Sequence, residues 1–288
     1  MKKQKVETSA QTQQTEDIEK SIRKKFHKEL FSKFCKAIND YDMIVPNDRI
    51  AVCISGGKDS MLMAKLFQEL KRHNKFPFEV GFILMNPGYD KKNFELIQNN
   101  IKLLSIPVHI FETDIFENVS HIEKSPCYIC ARMRRGHLYN MAKQLGYNKI
   151  ALGHHFDDVI ETILMGVLYG GQFQTMMPKI KSKNFEGMEL IRPMYYIREK
   201  DIIHWAKYNN LEFIQCACKF TQNISEDEKN LHESKSMRKK VKKLIELLAK
   251  ENPNIENNIF KSTENVNLST IISYKDQNNV KHNFKDNY

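Results

Sequence analysis

The stretch RIAVCISGGKDSMLMAKLFQEL, residues 49–70, changes character twice. It begins with β-branched and small apolar residues, which are typical of a strand buried in a parallel sheet. It ends in a helical pattern, and SGGKDS lies between the two. Adjacent glycines let a chain turn sharply and approach a ligand, and the free amides at a helix N-terminus attract anions. The stretch therefore predicts a phosphate site built by a strand, a glycine loop and a helix.

A turn that uses glycine only for its geometry is the alternative interpretation. Two features favour phosphate instead: the charge of Lys58 and the hydroxyl groups of Ser55 and Ser60. The spacing differs from GxxxxGK[ST], so the common nucleotide loop of that pattern is not assigned.

Strand and helix patterns alternate along the chain after this loop. Predicted strands cover 78–86, 106–114 and 148–155, and predicted helices cover 59–70, 91–104, 130–146 and 157–171. This alternation favours an α/β fold with a doubly wound, mostly parallel sheet. Ligands bind such sheets at the carboxyl ends of the strands. SGGKDS, PGYD, SPCYIC and GHHFDD all fall near such ends, so we expect them to form one site.

Helices are predicted at both ends of this domain. One amphipathic helix over 16–39 is predicted from apolar residues that recur every four positions: Ile18, Ile22, Phe26, Leu30, Phe34 and Ile38. A basic helix is predicted over 226–250, and the final residues are expected to fray. The predicted organisation is a helical extension at 1–45, a nucleotide-binding domain with paired cysteines at 46–220, and a basic helical segment with a polar tail at 221–288.

The chain carries 45 basic and 35 acidic residues, a formal net charge of +10. This excess predicts attraction to a polyanion, with nucleic acid the first candidate, and a solvated basic surface is the alternative. No window approaches the roughly 20 apolar residues of a membrane helix. The first fifteen residues lack the apolar core of a signal peptide. We therefore expect a cytoplasmic protein that has no membrane partner.

Six cysteines fall into two groups. Cys35 and Cys53 lie in apolar patterns and are predicted to be core residues. The others form two close pairs, Cys127 with Cys130 and Cys216 with Cys218. Three interpretations are open: a structural zinc site, a redox dithiol, and an iron–sulfur cluster held by fewer than four cysteines. Zinc held by His154, His155 and Asp157 is a further alternative.

The motifs SGGKDS, CYICARMRRGHLY, GHHFDDVIETILMGVLYGG, MMPK and LIRPM follow one another in this order, before the late cysteines. Over residues 25–250 this order resembles the TtcA/TtuA family of tRNA thiolases, members of the PP-loop ATP pyrophosphatase superfamily. TtuA-type members carry extra CxxC zinc knuckles at both ends, and their absence here favours the TtcA branch. The resemblance implies the fold of the adenine nucleotide α hydrolases.

The resemblance also implies a reaction. Members of the TtcA branch adenylate C2 of a cytidine at position 32 of tRNA with ATP and replace the oxygen with sulfur, using a [4Fe–4S] cluster. Two other functions are kept as alternatives. One is sulfur transfer by a related enzyme to another tRNA base or to a small molecule. The other is a zinc-containing RNA-binding protein without catalytic activity.

By this resemblance, the ATP-binding residues are Ser55, Gly56, Gly57, Lys58, Asp59, Ser60, Gly153 and Asp158. The implied catalytic residues are Lys58, Asp59, Arg134 and Asp158, with Mg²⁺ bound at Asp59 and with Asp158 either holding Mg²⁺ or positioning the base. Lys58 stabilises the leaving group, and Arg134 stabilises negative charge on the activated intermediate.

The cluster ligands implied are Cys127, Cys130 and Cys216, with Cys218 as the alternative third ligand. Contacts with tRNA phosphates are expected at Arg132, Arg135, Lys179, Arg238, Lys239 and Lys240. The reaction requires a sulfur donor, such as a cysteine desulfurase. Members of the family are often dimers, so a homodimer is left open.

Overall fold

The computed structural model describes residues 2–73, 76–119, 126–214 and 237–287. In these ranges the strands are β1 (Arg49–Ile54), β2 (Glu79–Asn86), β3 (Val108–Glu112), β4 (Lys149–Ala151), β5 (Lys179–Lys181), β6 (Glu189–Ile191), β7 (Ser273–Lys275) and β8 (Lys281–Asn283). The first six form one sheet in the order β3-β2-β1-β4-β6-β5, and β7 and β8 form a separate pair.

The α-helices are α1 (Lys2–Arg23), α2 (Ser32–Asp40), α3 (Lys58–His73), α4 (Lys91–Leu103), α5 (Ile115–Val119), α6 (Pro126–Gln144), α7 (Phe156–Gly170), α8 (Glu199–Tyr208), α9 (Met237–Glu251) and α10 (Ile255–Ser262). A π-helical turn covers His27–Phe31, and short 3₁₀ turns cover Leu268–Thr270 and Phe284–Asn287.

The sheet is parallel except at its β5 edge. β1 pairs in parallel with β2 and β4, β4 pairs in parallel with β6, and β5 pairs antiparallel with β6. The chain runs from β1 toward β3 in one direction and from β4 toward β6 in the other. The winding therefore reverses between β1 and β4, where such sheets open a crevice for ligands. The predicted doubly wound fold is confirmed.

Alternate residues of β1 face opposite sides of the sheet, as the pleat requires. Ala51 and Cys53 pack with Tyr139 and Ala142 of α6, whereas α3 contacts the same strand. Burial of Ile50, Ala51 and Val52 is complete. The strand is therefore covered by helices, which explains its continuous apolar composition.

The prediction of one regular helix over 16–39 is wrong, because the structure interrupts this helix. α1 ends at Arg23, and the π-helical turn separates it from α2. A spacing of four residues drifts by about 40° per step around an α-helix, so one regular helix cannot hold six such residues on one face. The interruption includes a bond from the Phe26 N–H to the Ser21 carbonyl, and such bonds widen the turn. All six apolar residues are buried.

The described residues divide into two compact units. The larger unit contains residues 2–159 and 177–214, and the smaller contains 160–176 and 237–287. In the smaller unit α9 buries Val241 and Ile245, and β7 pairs with β8 near the end of the chain. This pairing contradicts the expected fraying of the final residues. None of the helices in the described ranges combines the length and apolar composition that a bilayer-spanning segment requires.

Candidate active site

The Ser60 hydroxyl holds the SGGKDS loop closed. It donates a hydrogen bond to the Gly57 carbonyl at 3.0 Å and accepts one from the Ser55 backbone N–H at 3.1 Å. The Ser55 hydroxyl also lies 3.1 Å from it. These contacts fold the loop over the first turn of α3, where amide groups have no partner within the helix. The loop therefore has the local form of an anion site.

The two glycines have different roles. Gly56 has φ of +83°, and a Cβ at this position would lie 2.6 Å from Ile97 Cγ1 and 2.9 Å from Ile214 Cδ1. A Cβ at Gly57 would meet no atom of the described residues closer than 3.7 Å. Gly56 is thus required by the fold of the loop, whereas the space beside Gly57 is open to a ligand.

Gly153 follows β4 and faces the same loop. A Cβ here would lie 3.2 Å from the carbonyl carbon of Asp59 and from the Ser60 nitrogen. The resemblance implies that this glycine admits a nucleotide. The structure shows close backbone packing between Gly153 and the start of α3, so the glycine fixes the distance between two walls of the site.

Lys58 and Asp59 form a charged group at the start of α3. The Lys58 ammonium donates to Glu199 at 3.1 Å and to Asp59 Oδ2 at 3.4 Å. Burial lowers the pKa of Lys58, but the charges of Asp59 and Glu199 outweigh it and raise the pKa above its ordinary value. Asp59 Oδ1 lies 3.2 Å from the Lys58 ammonium but accepts no hydrogen bond.

Burial raises the pKa of Asp59, and the nearby Lys58 and His155 only partly oppose it. A buried carboxylate oxygen without a hydrogen bond is costly unless a ligand or ion completes it. Asp59 is therefore suited to receive a cation at Oδ1.

The two aspartates of GHHFDD are used differently. Asp158 accepts a hydrogen bond from the His155 backbone N–H at 3.0 Å and lines the central cavity. Asp157 instead pairs with Arg198 at 3.1 Å and accepts the Glu199 N–H at 2.7 Å. Asp157 thereby fixes the start of α8, where Glu199 accepts the hydrogen bond from Lys58.

The zinc alternative at this motif is not supported. Among the described residues no three His, Cys, Asp or Glu side chains are grouped so that they could hold a metal ion.

One cavity of about 420 Å³ is lined by residues of three of the four predicted segments, SGGKDS, PGYD and GHHFDD, and by residues of α6 that follow SPCYIC. Its lining includes Ser55, Asp59, Ser60, Tyr89, Ala131, Arg134, Arg135, Gly153, His154 and Asp158. The expected convergence is therefore confirmed for SGGKDS, PGYD and GHHFDD, whereas SPCYIC contributes no residue to the described lining.

The cysteine helix α6 supplies a second wall of this cavity. Cys130 is buried against Met85, Ile115 and Phe116, one residue before Ala131 of the lining. Tyr89 links this wall to the glycine loop, because its hydroxyl donates to the Ser55 carbonyl at 3.2 Å. Burial raises the pKa of Tyr89. The nearby Arg134 lowers this pKa, and the nearby Cys130 raises it further. Cys130 thus lies near the anion loop.

The other cluster predictions lie outside what the structure describes. This holds for the side chain of Cys127 and for Cys216 and Cys218 entirely. Of the predicted core cysteines, Cys53 is buried, and burial raises the pKa of its thiol. Cys35 is only half-buried, so its assignment to the core is wrong.

Arg134 points into the cavity region with an unsatisfied donor. Its guanidinium carbon lies 5.0 Å from the centre of the Phe116 ring, and its Nε is buried without a hydrogen-bond partner. Such an arginine is held by stacking and keeps hydrogen-bonding capacity for a ligand.

The residues expected to contact tRNA phosphates occupy diverse environments. Arg132 and Arg135 are exposed on α6. Lys179 donates to the Asp42 carbonyl at 2.8 Å and lies 3.5 Å from Glu189, so it has a role within the fold. In the smaller unit Arg238 pairs with Glu161 at 3.2 Å, whereas Lys239 and Lys240 are exposed.

Three residues of the site were missed by the sequence reasoning: Tyr89, Arg198 and Glu199. Tyr89 belongs to the segment PGYD, so its position after a strand was a usable signal. Glu199 lies 141 positions after Lys58, and no local pattern indicates that pair.

Comparisons with known proteins agree with this geometry. Residues 19–226 match the PP-loop domain family. The tRNA-cytidine(32) 2-sulfurtransferase of Coxiella burnetii (strain RSA 493) is 38% identical over 260 residues, which cover 88% of this chain and 95% of that protein. The protein of the same name from Legionella pneumophila (strain Paris) is 37% identical, with 84% of this chain and 82% of that protein covered.

Among solved structures, the U34-tRNA thiolase NcsA from Methanococcus maripaludis with its [4Fe–4S] cluster superposes with a TM-score of 0.62 at 22% identity. The superposition covers 81% of this chain and 76% of that chain. This similarity shows that the two chains share a fold.

Proposed function

This chain belongs to the PP-loop family of tRNA-cytidine(32) 2-sulfurtransferases, and we propose that it replaces the C2 oxygen of a tRNA cytidine, at position 32, with sulfur in an ATP-dependent reaction. The observation that carries the proposal is the single cavity in which the glycine loop and the Cys130 wall meet. Each half of the reaction requires one of these features.

The first half activates the base. The C2 oxygen of cytidine is a poor leaving group, so it first attacks the α-phosphate of ATP, and pyrophosphate leaves. The reaction depends on positioning and on neutralising charge. The amides of the SGGKDS loop and the Lys58 ammonium bind the departing pyrophosphate. Glu199 keeps the Lys58 side chain directed to the loop through a hydrogen bond of 3.1 Å.

Asp59 and Asp158 are the proposed ligands of Mg²⁺. Mg²⁺ is usually held by one or two carboxylates together with substrate phosphates and water. The buried Oδ1 of Asp59, without a hydrogen bond, meets that requirement, and Asp158 lines the same cavity.

Arg134 is the proposed electrostatic catalyst. The adenylated cytidine carries negative charge on its phosphate, and a buried donor aimed at that charge is effective because water is excluded. The unsatisfied Nε of Arg134 provides such a donor.

The second half delivers sulfur. Cys127, Cys130 and either Cys216 or Cys218 are the proposed ligands of a [4Fe–4S] cluster, which when bound supplies the sulfur-transfer chemistry. Cys130 fits this role, because it is a free cysteine beside the cavity. Ile214, two positions before Cys216 in the sequence, borders Gly56. A cysteine desulfurase is the proposed sulfur donor, and the homodimer stays a prediction.

The anticodon loop must present its cytidine unstacked, because a stacked base cannot enter a cavity of this kind. The exposed lysines of α9 and the exposed Arg132 and Arg135 of α6 are the proposed phosphate contacts. Binding should therefore weaken steeply as salt rises.

The test combines cluster content and product analysis. The parent chain, Cys130→Ser and the matched control Cys35→Ser are reconstituted anaerobically, and tRNA nucleosides from complemented deletion strains are measured by mass spectrometry. We expect absorption near ~400 nm and 2-thiocytidine with the parent and with Cys35→Ser, and neither with Cys130→Ser. Cys35 is a suitable control because it lines a different groove, beside His27 and Phe31.

Two results would contradict the proposal. One is stoichiometric zinc in place of iron and sulfide, with no AMP released from ATP. The other is loss of a different thionucleoside in the deletion strain, which would assign the chain to another base.

A further inference from the structure

Arg192 directly follows β6 at the carboxyl edge of the sheet. Ile191 is the register partner of Ala151, and the Leu152 N–H donates to the Ile191 carbonyl at 3.0 Å. Leu152 and the neighbouring Gly153 line the central cavity. Arg192 is therefore placed one strand away from Gly153, on the edge where the nucleotide loop also lies.

The Arg192 side chain is buried but incompletely paired. The residue is 8% exposed, and its Nε has no hydrogen-bond partner. One of its Nη groups donates to the Met177 carbonyl, and the Nε donor remains for another partner. Burial lowers the pKa of Arg192 to about 10. Arginine is almost never fully buried without an anionic partner, because desolvation of its charge is costly.

The surroundings of Arg192 are short of negative charge. No carboxylate of the described residues forms a salt bridge with it, and Asp158 is the acid whose charge acts on it. Asp158 already accepts the His155 N–H. Arg135, which lines the cavity, adds a like charge near Arg192. Two guanidinium groups that repel each other are compensated if an anion binds between them.

We infer that Arg192, together with Arg135, binds a phosphate oxyanion of a substrate. This phosphate site is separate from the pyrophosphate-binding site of the SGGKDS loop. The planar guanidinium fork matches two phosphate oxygens at once. The inference rests on the proposed function for its choice of ligand. Two sources share this chemistry: the α-phosphate of ATP, and the phosphodiester that flanks the target cytidine.

The experiment measures binding without turnover. A non-hydrolysable ATP analogue is titrated in the absence of tRNA, and tRNA is titrated in the absence of nucleotide, with the parent, Arg192→Gln and Arg192→Lys. We expect Arg192→Gln to weaken one of the two affinities by about tenfold or more, since a charge-assisted hydrogen bond is lost. The affinity of Arg192→Lys should lie between those of the parent and Arg192→Gln, because lysine keeps the charge but loses the planar guanidinium fork. The affected arm identifies the source of the phosphate.

Two further variants separate binding from folding. Arg135→Gln changes an exposed residue, so it should fold, and it should weaken the same arm by a smaller factor. Lys149→Gln removes a buried cation from the amino end of the neighbouring strand β4, where Lys149 pairs with Asp48 at 2.8 Å. It should reduce stability and leave both affinities within about twofold.

The inference is overturned if Arg192→Gln and Arg135→Gln leave both affinities within about twofold of the parent. It is also overturned if Lys149→Gln weakens ligand binding as much as Arg192→Gln does, since the effect would then come from the fold. If Arg192→Gln weakens one affinity but the parent chain forms no 2-thiocytidine, the result would instead count against the proposed function alone.

Discussion

The adjacent glycines of the phosphate loop allow a matched test of the site. Gly56→Ala and Gly57→Ala each add one methyl group to the same loop, yet the structure predicts opposite consequences. At Gly56 the added Cβ would lie 2.6 Å from Ile97 Cγ1, in a backbone conformation with φ of +83°. At Gly57 the nearest described atom would be 3.7 Å away.

The magnitudes follow from these contacts. A left-handed backbone costs an L-residue about 1–2 kcal/mol, and overpacking of a filled site costs about 1–3 kcal/mol. Gly56→Ala should therefore lower the free energy of unfolding by about 2–5 kcal/mol. Gly57→Ala meets neither cost. It should leave the free energy of unfolding unchanged or raise it by up to about 1 kcal/mol, because alanine restricts the unfolded chain.

The variant that loses less stability, Gly57→Ala, should lose more ligand affinity. The methyl group of Gly57→Ala enters the space that faces the phosphates, so it should weaken binding of a non-hydrolysable ATP analogue by about tenfold or more. Urea unfolding without ligand and calorimetric titration are the assays. If Gly57→Ala lost as much stability as Gly56→Ala, or if Gly56→Ala stayed within about 0.5 kcal/mol of the parent, the assigned roles would be wrong.

Three other predictions follow from the charged groups. Asp59→Asn should keep or raise the melting temperature, because burial raises the pKa of Asp59 and disfavours its charge. The rate of thiolation should fall by about 100-fold or more, because the proposed metal ligand is lost. A lower melting temperature would contradict this prediction. Burial raises the pKa of Glu19, but Lys65 and Arg72 outweigh it and lower the pKa. Glu19→Gln should therefore cost about 1–3 kcal/mol of unfolding free energy near neutral pH, and the difference from the parent should shrink as pH falls below the ordinary value of 4.5; a difference that stays constant down to about pH 3 would refute it. Lys240→Gln should reduce the salt dependence of tRNA binding by about one unit of logarithmic slope without a loss of stability, whereas Arg238→Gln should destabilise the chain because it removes the ion pair at 3.2 Å with the buried Glu161; equal melting temperatures would show that the two residues are equivalent.

The central fold was predictable because its strands are long and apolar. β1 and β2 hold six and eight residues, enough for composition to identify a buried strand. β5 and β6 hold three residues each, too few for a measurable period, and were missed, whereas the equally short β4 lies within the predicted strand 148–155. The spacing of apolar residues over 16–39 correctly predicted which residues are buried. It could not predict the π-helical turn, which depends on packing against the rest of the unit.

The candidate site was predictable where its residues belong to local motifs. The loop, Tyr89's segment and the cysteine helix follow the ends of strands, so parallel topology alone brings them together. Pairings over a long sequence distance were not predictable. The contact of Lys58 with Glu199 and the pairing of Asp157 with Arg198 depend on where α8 packs. Lys179 was expected to contact tRNA, yet it is held by Asp42 and Glu189.

In the part of the chain that the structure describes, three atoms of charged side chains that lack a hydrogen bond lie in or beside the cavity. Asp59 Oδ1, Arg134 Nε and Arg192 Nε are all buried without a hydrogen bond. Asp59 and Arg134 line the central cavity, and Arg192 follows the strand beside it. Among the described residues away from the cavity, Lys65 pairs with Glu19 at 2.7 Å and Lys149 pairs with Asp48 at 2.8 Å. A fold that satisfies its buried charges away from the cavity and leaves three incomplete around it is suited to a ligand that carries both a cation and phosphate oxygens. Nucleotide bound with Mg²⁺, together with the backbone of an RNA, has that composition.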